Sequence, residues 1–420
     1  KMATAATVSV GEMMAPNSIA VPKLRTGINW SRIMAMPKVV INTKAIESQP
    51  MVARLERISC QATVRAAANK IGGKNTTNTK SLGGCQLGKR PVDFHIQALE
   101  HLGATIDYRE MKKEGAYLAH ARNGLKGTVV TLPYPSVGAT ENTILAGVTA
   151  RGTTVIKNAA IEPEVVELIL FLQKLGAVIT LDVDRTIHIQ GTRRFFEVEH
   201  TVIPDRNEAA SWGMAAIASK GNVFVEGAEH LHMITFLNKI REVGGGFNIR
   251  SNGIEFFYDG LLHGGVHVET DVHPGFMTDW QQPFAVLLTQ AEGSSVIHET
   301  VYENRFGYAE TLSEMGADIT QFKQCLGGKL CRFASQSFCH SMIVKGCTEL
   351  EGREITIPDL RAGFAYVMAA AIAKGTSVLS GLHFLDRGYE NIVPKLAALG
   401  VDVMRTKTES PLLEPAMVTV

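Results

Sequence analysis

The residues best suited to chemistry in this chain are gathered in one segment, KSLGGCQLGKRPVDFH, running from Lys80 to His95. It sets Cys85 directly after Gly83-Gly84 and ahead of Gly88, Lys89 and Arg90. A thiol on a glycine-rich loop can move, and two nearby cations favour its thiolate and attract anions. A surface cysteine on a disordered loop fits the same residues, so spacing alone leaves both readings open. The other cysteines are Cys60, Cys325, Cys331, Cys339 and Cys347. They form no CxxC pair, and the last four are separated by five to seven residues, which matches no standard zinc spacing. Free thiols in a reducing cytosol, with no metal and no redox cofactor, are the expectation. His95, His273 and His340 read as structural hydrogen-bond partners, with His273 the one that could line a site.

The elements that must position these residues show as an internal repeat. One phrase closes an apolar-periodic stretch and leads into a β-like run: LEHLGATIDY at Leu99, FLQKLGAVITL at Phe171, IREVGGGFNI at Ile240, LSEMGADIT at Leu312 and LAALGVDVM at Leu396. Its central glycines recur at intervals of roughly 70 to 85 residues. A second phrase alternates with it: ARGTTVIKNA at Ala150, SKGNVFVEGA at Ser219, AEGSSVIHET at Ala291 and AKGTSVLSGL at Ala373. Helix-like stretches rich in small residues precede it: ATENTILAGVTA, NEAASWGMAAIA, DWQQPFAVLLTQ and LRAGFAYVMAAAIA. Each unit therefore reads strand, helix, strand, helix, strand, with glycine at the helix C-terminus, where positive φ is needed. Small side chains on the helices predict interior helices. An ordinary doubly wound sheet is the competing reading, but no GxGxxG follows a first strand and the unit is too long for simple βα pairs.

Composition bounds the function. A chain of 420 residues, 45% apolar, is long for one core, so two domains are expected. A net charge of +1 from 42 basic and 41 acidic residues offers no global field for nucleic acid and no polybasic tail for a membrane. An anionic ligand must be met by local cations. No run of 18 apolar residues and no signal-peptide pattern is present, which predicts a cytoplasmic protein. Arg193 to Ala209, RRFFEVEHTVIPDRNEA, is the expected crossing between halves, and ESPLLEPAMVTV at the C-terminus reads as a mobile appendage.

GGCQLGKRPVDFHIQALEHLGA resembles the active-site loop of the UDP-N-acetylglucosamine 1-carboxyvinyltransferase family, the enolpyruvyl transferases that fosfomycin inactivates. PSVGAT (Pro135 to Thr140), NAAIEPEVVEL (Asn158 to Leu168), PDRNEA (Pro204 to Ala209), HPGFMTD (His273 to Asp279), ETVYENRF (Glu299 to Phe306), PDLRAG (Pro358 to Gly363) and DRGYE (Asp386 to Glu390) match that family in order. The resemblance runs from Cys85 to about Lys407. TDWQQP with CLGGKLCRF resembles the actinobacterial branch more than the proteobacterial one. The sister family acting on shikimate 3-phosphate carries a Gly-Asn-Ala-Gly-Thr segment that this chain lacks. An inactive UDP-sugar-binding relative is the alternative from another class.

The resemblance implies an α/β fold: a two-lobed inside-out α/β barrel of six βαβαββ repeats with interior helices. Residues 1–203 would form the N-terminal lobe and 204–420 the C-terminal lobe, closing on the substrates phosphoenolpyruvate and UDP-N-acetylglucosamine. It implies that Cys85 is the general acid and that Asp279 takes the sugar hydroxyl proton, although Thr-Asp before an apolar stretch also suits a helix N-cap. Arg90, Arg361 and Arg387 become anion-binding arginines, suited to bidentate contacts, with Asp359 orienting Arg361 or assisting proton transfer. Arg90, Pro91, Val92, Asp93 and Phe94 would surround the uracil. Ser136, Val137 and Gly138 would offer backbone contacts near the diphosphate. Val301 would touch the sugar, with Asn304 and Arg305 structural or near it, and Glu162 at the lobe interface. Arg57 falls where the family has a phosphate-binding arginine.

The family opens on a Gly-(Ala/Gly)-Lys-Asn motif whose Lys binds phosphoenolpyruvate and whose Asn binds the sugar. This chain starts KMATAATVSVGE, which resembles the helix after that motif. The expectation is that an upstream strand, not present here, completes the second lobe. Tyr134 stands where many members have Lys, and GGKNTTNTKSLGGC is longer than the family pattern ahead of the cysteine.

Overall fold

The computed structural model describes residues 18–21, 76–79, 92–111, 114–328 and 331–406. The recurring phrases fold as their residue types suggest. Five times a helix ends, a glycine at positive φ turns the chain, and a strand begins: Gly103 (φ 93°), Gly176 (100°), Gly244 (89°), Gly316 (105°) and Gly400 (83°). L-residues avoid that region, so glycine is the low-cost choice there. In SKGNVFVEGA the positive φ (57°) falls on Lys220, one residue earlier than the glycine predicted for it.

One topology recurs in the four-stranded sheets. Val129–Thr131 runs parallel to Thr153–Lys157, which pairs antiparallel with Ile187–Gln190, and that strand pairs antiparallel with Val178–Leu181. His267–Glu269, Gly293–His298, Ser341–Gly346 and Asp318–Phe322 repeat this order. Glu354–Thr356 and Ser377–Ser380 repeat the parallel pair. There the third place is taken by Ser18–Val21, which pairs antiparallel with both Ser377–Ser380 and Met404–Thr406. That third place is thus held by a segment far away in sequence.

The helix joining each parallel pair is buried nearly all round. In Arg206–Ala218 every residue but one is buried, and Val137–Gly147, Gln281–Leu288 and Leu360–Ile372 are similar. Their Ala, Gly and Ser residues permit this, because a small side chain lets neighbouring backbones approach. A Cβ on Gly213 would meet Phe256 at 3.0 Å, and one on Gly363 would lie 2.8 Å from Ile357 Cγ2. The partner helices, such as Pro163–Lys174 and Ile234–Glu242, are amphipathic and cover the outside. Two main apolar cores result. One is built from residues between Ala98 and Ile189, the other from residues between Ala209 and Val401, where Trp280 packs edge-on against Phe276 and tilted against Phe236. Among the described residues no helix is long and apolar enough to cross a membrane.

Candidate active site

Asp279 lies in the short turn Thr278–Trp280 ahead of Gln281–Leu288. It does not cap that helix, whose N-cap position, Trp280, makes no side-chain cap bond. Both carboxylate oxygens are committed elsewhere: Arg305 Nη2 donates to Oδ1 at 2.6 Å and Arg361 Nε donates to Oδ2 at 3.1 Å. Burial alone would raise this carboxyl, but Arg305 and then Arg361 outweigh it and hold it well below the usual carboxylate range. Asp279 is therefore an anion here, wedged between two cations.

Each cation is held in turn. Asp359 caps Leu360–Ile372, its Oδ1 accepting from the N–H groups of Arg361 (2.8 Å) and Ala362 (3.1 Å). That cap holds the start of the helix from which the Arg361 side chain reaches Asp279. Arg361 Nη1 also donates to Tyr389 Oη at 3.3 Å, and Ser211 Oγ lies 2.9 Å from the same hydroxyl. Arg305 donates to Thr278 Oγ1 at 3.0 Å.

Behind Thr278 stands a residue the sequence reading did not single out. Glu299 is buried and accepts from the N–H groups of Val301 (2.7 Å) and Tyr302 (2.8 Å) and from Thr270, Thr278 and Gln281. It ties the loop carrying Val301 and Asn304 to the turn carrying Asp279. Glu299 and Arg305 both sit in ETVYENRF; Arg305 was expected to be structural or near the sugar, while Glu299 in the same motif was given no role. Asn304 is exposed, at φ 50°.

The remaining expected residues are placed separately. Val92 precedes the helix Asp93–His101; Asp93 is exposed and Phe94 packs half-buried on the first core. Ser136 caps Val137–Gly147 through a 3.4 Å bond from the Ala139 N–H, leaving Val137 and Gly138 in the first turn of a helix. Backbone N–H groups there, with the helix dipole, suit an anion. Arg387 ends the short helix Leu382–Arg387 on an exposed face, two residues before Tyr389. Cys85, Arg90, Pro91 and Arg57 lie outside the described residues. Tyr134, where a lysine was expected, carries the Arg332 guanidinium 4.6 Å from its ring centroid, so a cation stands there from another part of the chain.

The two cores meet across polar links. Arg206 clasps Glu164 through Nε (2.8 Å) and Nη2 (3.0 Å) and lies over the Trp280 ring. Glu162 Oε1 accepts from the His273 N–H at 3.3 Å, and Arg185 donates to the His273 carbonyl at 2.5 Å. The His273 backbone thus sits at the junction of the two halves. Beside these links a cleft of about 390 Å³ is lined by residues including Glu141, Glu164, His200, Asp205 and Arg361. The Glu141 carboxyl is pushed up to about 7, first by burial and then by Glu164 and Glu162. Glu141 and Arg361 thus line one cleft, which holds a carboxyl raised by burial beside the cation that is paired with Asp279. Nothing in the spacing of ATENT pointed to Glu141.

The EPSP synthase family, 3-phosphoshikimate 1-carboxyvinyltransferase, matches residues 63–396. A protein of Protochlamydia amoebophila named UDP-N-acetylglucosamine 1-carboxyvinyltransferase is 78% identical over 332 residues, covering 79% of this chain and 71% of its own. The chain belongs to this family of enolpyruvyl transferases. A namesake from Chlamydia abortus is 57% identical, covering 77% of this chain and 72% of its own. Both relatives are chlamydial, whereas TDWQQP and CLGGKLCRF leaned toward the actinobacterial branch. Among solved structures, the enolpyruvyl transferase NikO from Streptomyces tendae superposes with a TM-score of 0.66 at 22% identity, covering 79% of this chain and 74% of that one. EPSP synthase from Acinetobacter baumannii follows at 0.58 and 17%, covering 82% and 77%. At those identities the likeness concerns the α/β enolpyruvyl transferase fold alone.

Proposed function

We propose that this chain transfers the enolpyruvyl group of phosphoenolpyruvate to the 3-hydroxyl of UDP-N-acetylglucosamine, releasing phosphate, the first committed step toward a peptidoglycan precursor. The relatives at 78% and 57% identity carry the name of that reaction, and nothing favours shikimate 3-phosphate or an inactive role. The observation that carries the chemistry is the Asp279 carboxylate held between Arg305 and Arg361.

The sugar oxygen adds to C2 of phosphoenolpyruvate while C3 takes a proton, giving a phospho-ketal. C3 then returns a proton as the C–O bond to phosphate breaks. That sequence needs an acid at C3, a base at the hydroxyl and cations for phosphate and carboxylate. Cys85 is the acid and the thiol fosfomycin alkylates. Asp279 is the base. In the present arrangement it is a poor one, because two guanidinium groups stabilise its anion. A substrate phosphate or carboxylate that draws Arg361 away frees Oδ2 and raises its basicity, so base strength appears when substrate binds. Asp359 keeps Arg361 aimed, and Arg387 and Arg90 add cations. Arg57 meets the donor phosphate. Pro91, Val92, Asp93 and Phe94 take the uracil; Ser136, Val137 and Gly138, with Arg332 beside Tyr134, take the diphosphate; Val301 and Asn304 take the sugar.

The two cores support a two-lobed molecule, residues 1–203 and 204–420 with the strand Ser18–Val21 contributed to the second lobe, built as an inside-out barrel of six βαβαββ units, working in the cytoplasm without a cofactor. Lobe closure excludes water and strengthens each charge contact. The test is phosphate release from phosphoenolpyruvate plus UDP-N-acetylglucosamine, with and without fosfomycin, for the chain and for Cys85→Ala. Release that requires the sugar, stops with fosfomycin and vanishes in the variant is expected. Phosphate release unaffected by the variant would sink the assignment of Cys85.

A further inference from the structure

The loop after Asp318–Phe322 brings together side chains that sequence spacing had kept apart. One ring nitrogen of His298 and the Sγ atoms of Cys325 and Cys331 all lie within 4.8 Å of one another. His298 ends the strand Gly293–His298 and is fully buried. Its Nδ1 lies 2.7 Å from Ser341 Oγ, while its Nε2 is buried with no hydrogen-bond partner. A buried ring nitrogen left so is costly unless a ligand takes it up. Ser341 Oγ already accepts from the Leu326 N–H at 3.0 Å and has a second lone pair for an Nδ1–H. That tautomer leaves Nε2 as a bare lone pair, the form in which a histidine binds a metal while its other nitrogen is held by an outer partner. Gly327 closes the loop against this ring, since a Cβ there would lie 2.2 Å from His298 Cδ2.

We propose that His298, Cys325 and Cys331 form a zinc site, with His340 as the fourth ligand. His340 is buried, its Nδ1 is 3.3 Å from the Phe338 carbonyl, and its Nε2 is 3.3 Å from Cys325 Sγ. Its Nε2 therefore accepts the Cys325 thiol proton at present, and loses that donor once the thiol ionises. Thiolate and imidazole together select zinc over harder cations. Tetrahedral zinc holds such ligand atoms roughly 3.5–3.8 Å apart, so the three groups need close by only about 1 Å. On binding, the two S–H bonds break, two Zn–S bonds form and two protons pass to solvent. The site would clip the loop onto the end of its sheet. Arg332, next to Cys331, donates to the Val301 carbonyl and stacks on Tyr134, so the clip would also set a contact between the two halves of the chain.

The experiment is metal analysis of protein purified with Zn²⁺ in the medium, and Co²⁺ titration of the metal-free protein. One zinc per chain and a thiolate-to-cobalt absorption band are expected. Both should disappear in Cys325→Ser and in Cys331→Ser, each folded by circular dichroism, and persist in Cys347→Ser. Zn²⁺ should raise the Tm of the metal-free protein but not of the two variants. Substoichiometric zinc in the parent protein, or metal retained by both variants, would overturn the proposal. So would a Cys325–Cys331 disulfide formed in place of metal binding when zinc is supplied.

Discussion

Asp279 shows how a residue's neighbours decide what it can do. The family resemblance implied a base and its position before an apolar stretch suited a helix cap, and the arginines claim both oxygens. Asp279→Asn keeps the shape and removes the charge. It should lower kcat by about 100-fold or more, the range for losing a general base, while circular dichroism stays unchanged; an active Asn variant would exclude the base role. His95 makes the opposite electrostatic case. Burial, only partly offset by Asp93, lowers it from an ordinary 6.5 to about 4, and Asn142 Nδ2 donates to its Nδ1. The folded state thus prefers neutral His95, while the unfolded chain takes up a proton below about 6.5. Its stabilising effect is full above pH 6.5 and is lost as pH falls toward 4. Urea unfolding should show stability declining across that window, with a shallower decline in His95→Gln. His273, also lowered to about 4 by burial and Arg206, would account for part of what remains.

Among the elements, the buried helices are the part most easily read in advance. Runs such as LRAGFAYVMAAAIA are too poor in large residues to coat a sheet and too apolar to face water, so burial on all sides is the arrangement they permit. Their exact seating still depends on single atoms. Gly363 lies against Ile357 and Leu385 one turn beyond the Asp359 cap. Gly363→Val should cost about 1–3 kcal/mol by overpacking and should shift Arg361 as well, so kcat/KM falls beyond what stability explains. Equal activity per folded molecule would show that the helix start is independent of that contact. Strand pairing was less legible. The place of Ser18–Val21 between Ser377–Ser380 and Met404–Thr406 depends on partners hundreds of residues away, which no local pattern encodes.

At the scale of the molecule, the halves are joined by charged contacts more than by a shared core. Arg206, almost wholly buried, links Glu164 to Trp280 and to the His232 carbonyl. Arg206→Ala should destabilise by about 2 kcal/mol, less than a fully buried pair because Glu164 is partly exposed, and should raise KM for UDP-N-acetylglucosamine. Urea unfolding and steady-state kinetics would check both, and unchanged values would show the junction held by other contacts. What the sequence by itself determined is whatever repeats locally or sits in one continuous motif: the glycine-ended helices, the interior helices and the ordered phrases of the family. Tertiary structure alone decided the convergences. Asp279 and Arg361 are brought together from distant parts of the chain, Glu299 gathers two loops, Glu141 and Glu164 line one cleft, and His298 meets Cys325 and Cys331. The physical reason is that helix caps and strand patterns are set by neighbours along the chain, whereas charge pairing, burial and metal-ligand geometry are set by neighbours in space.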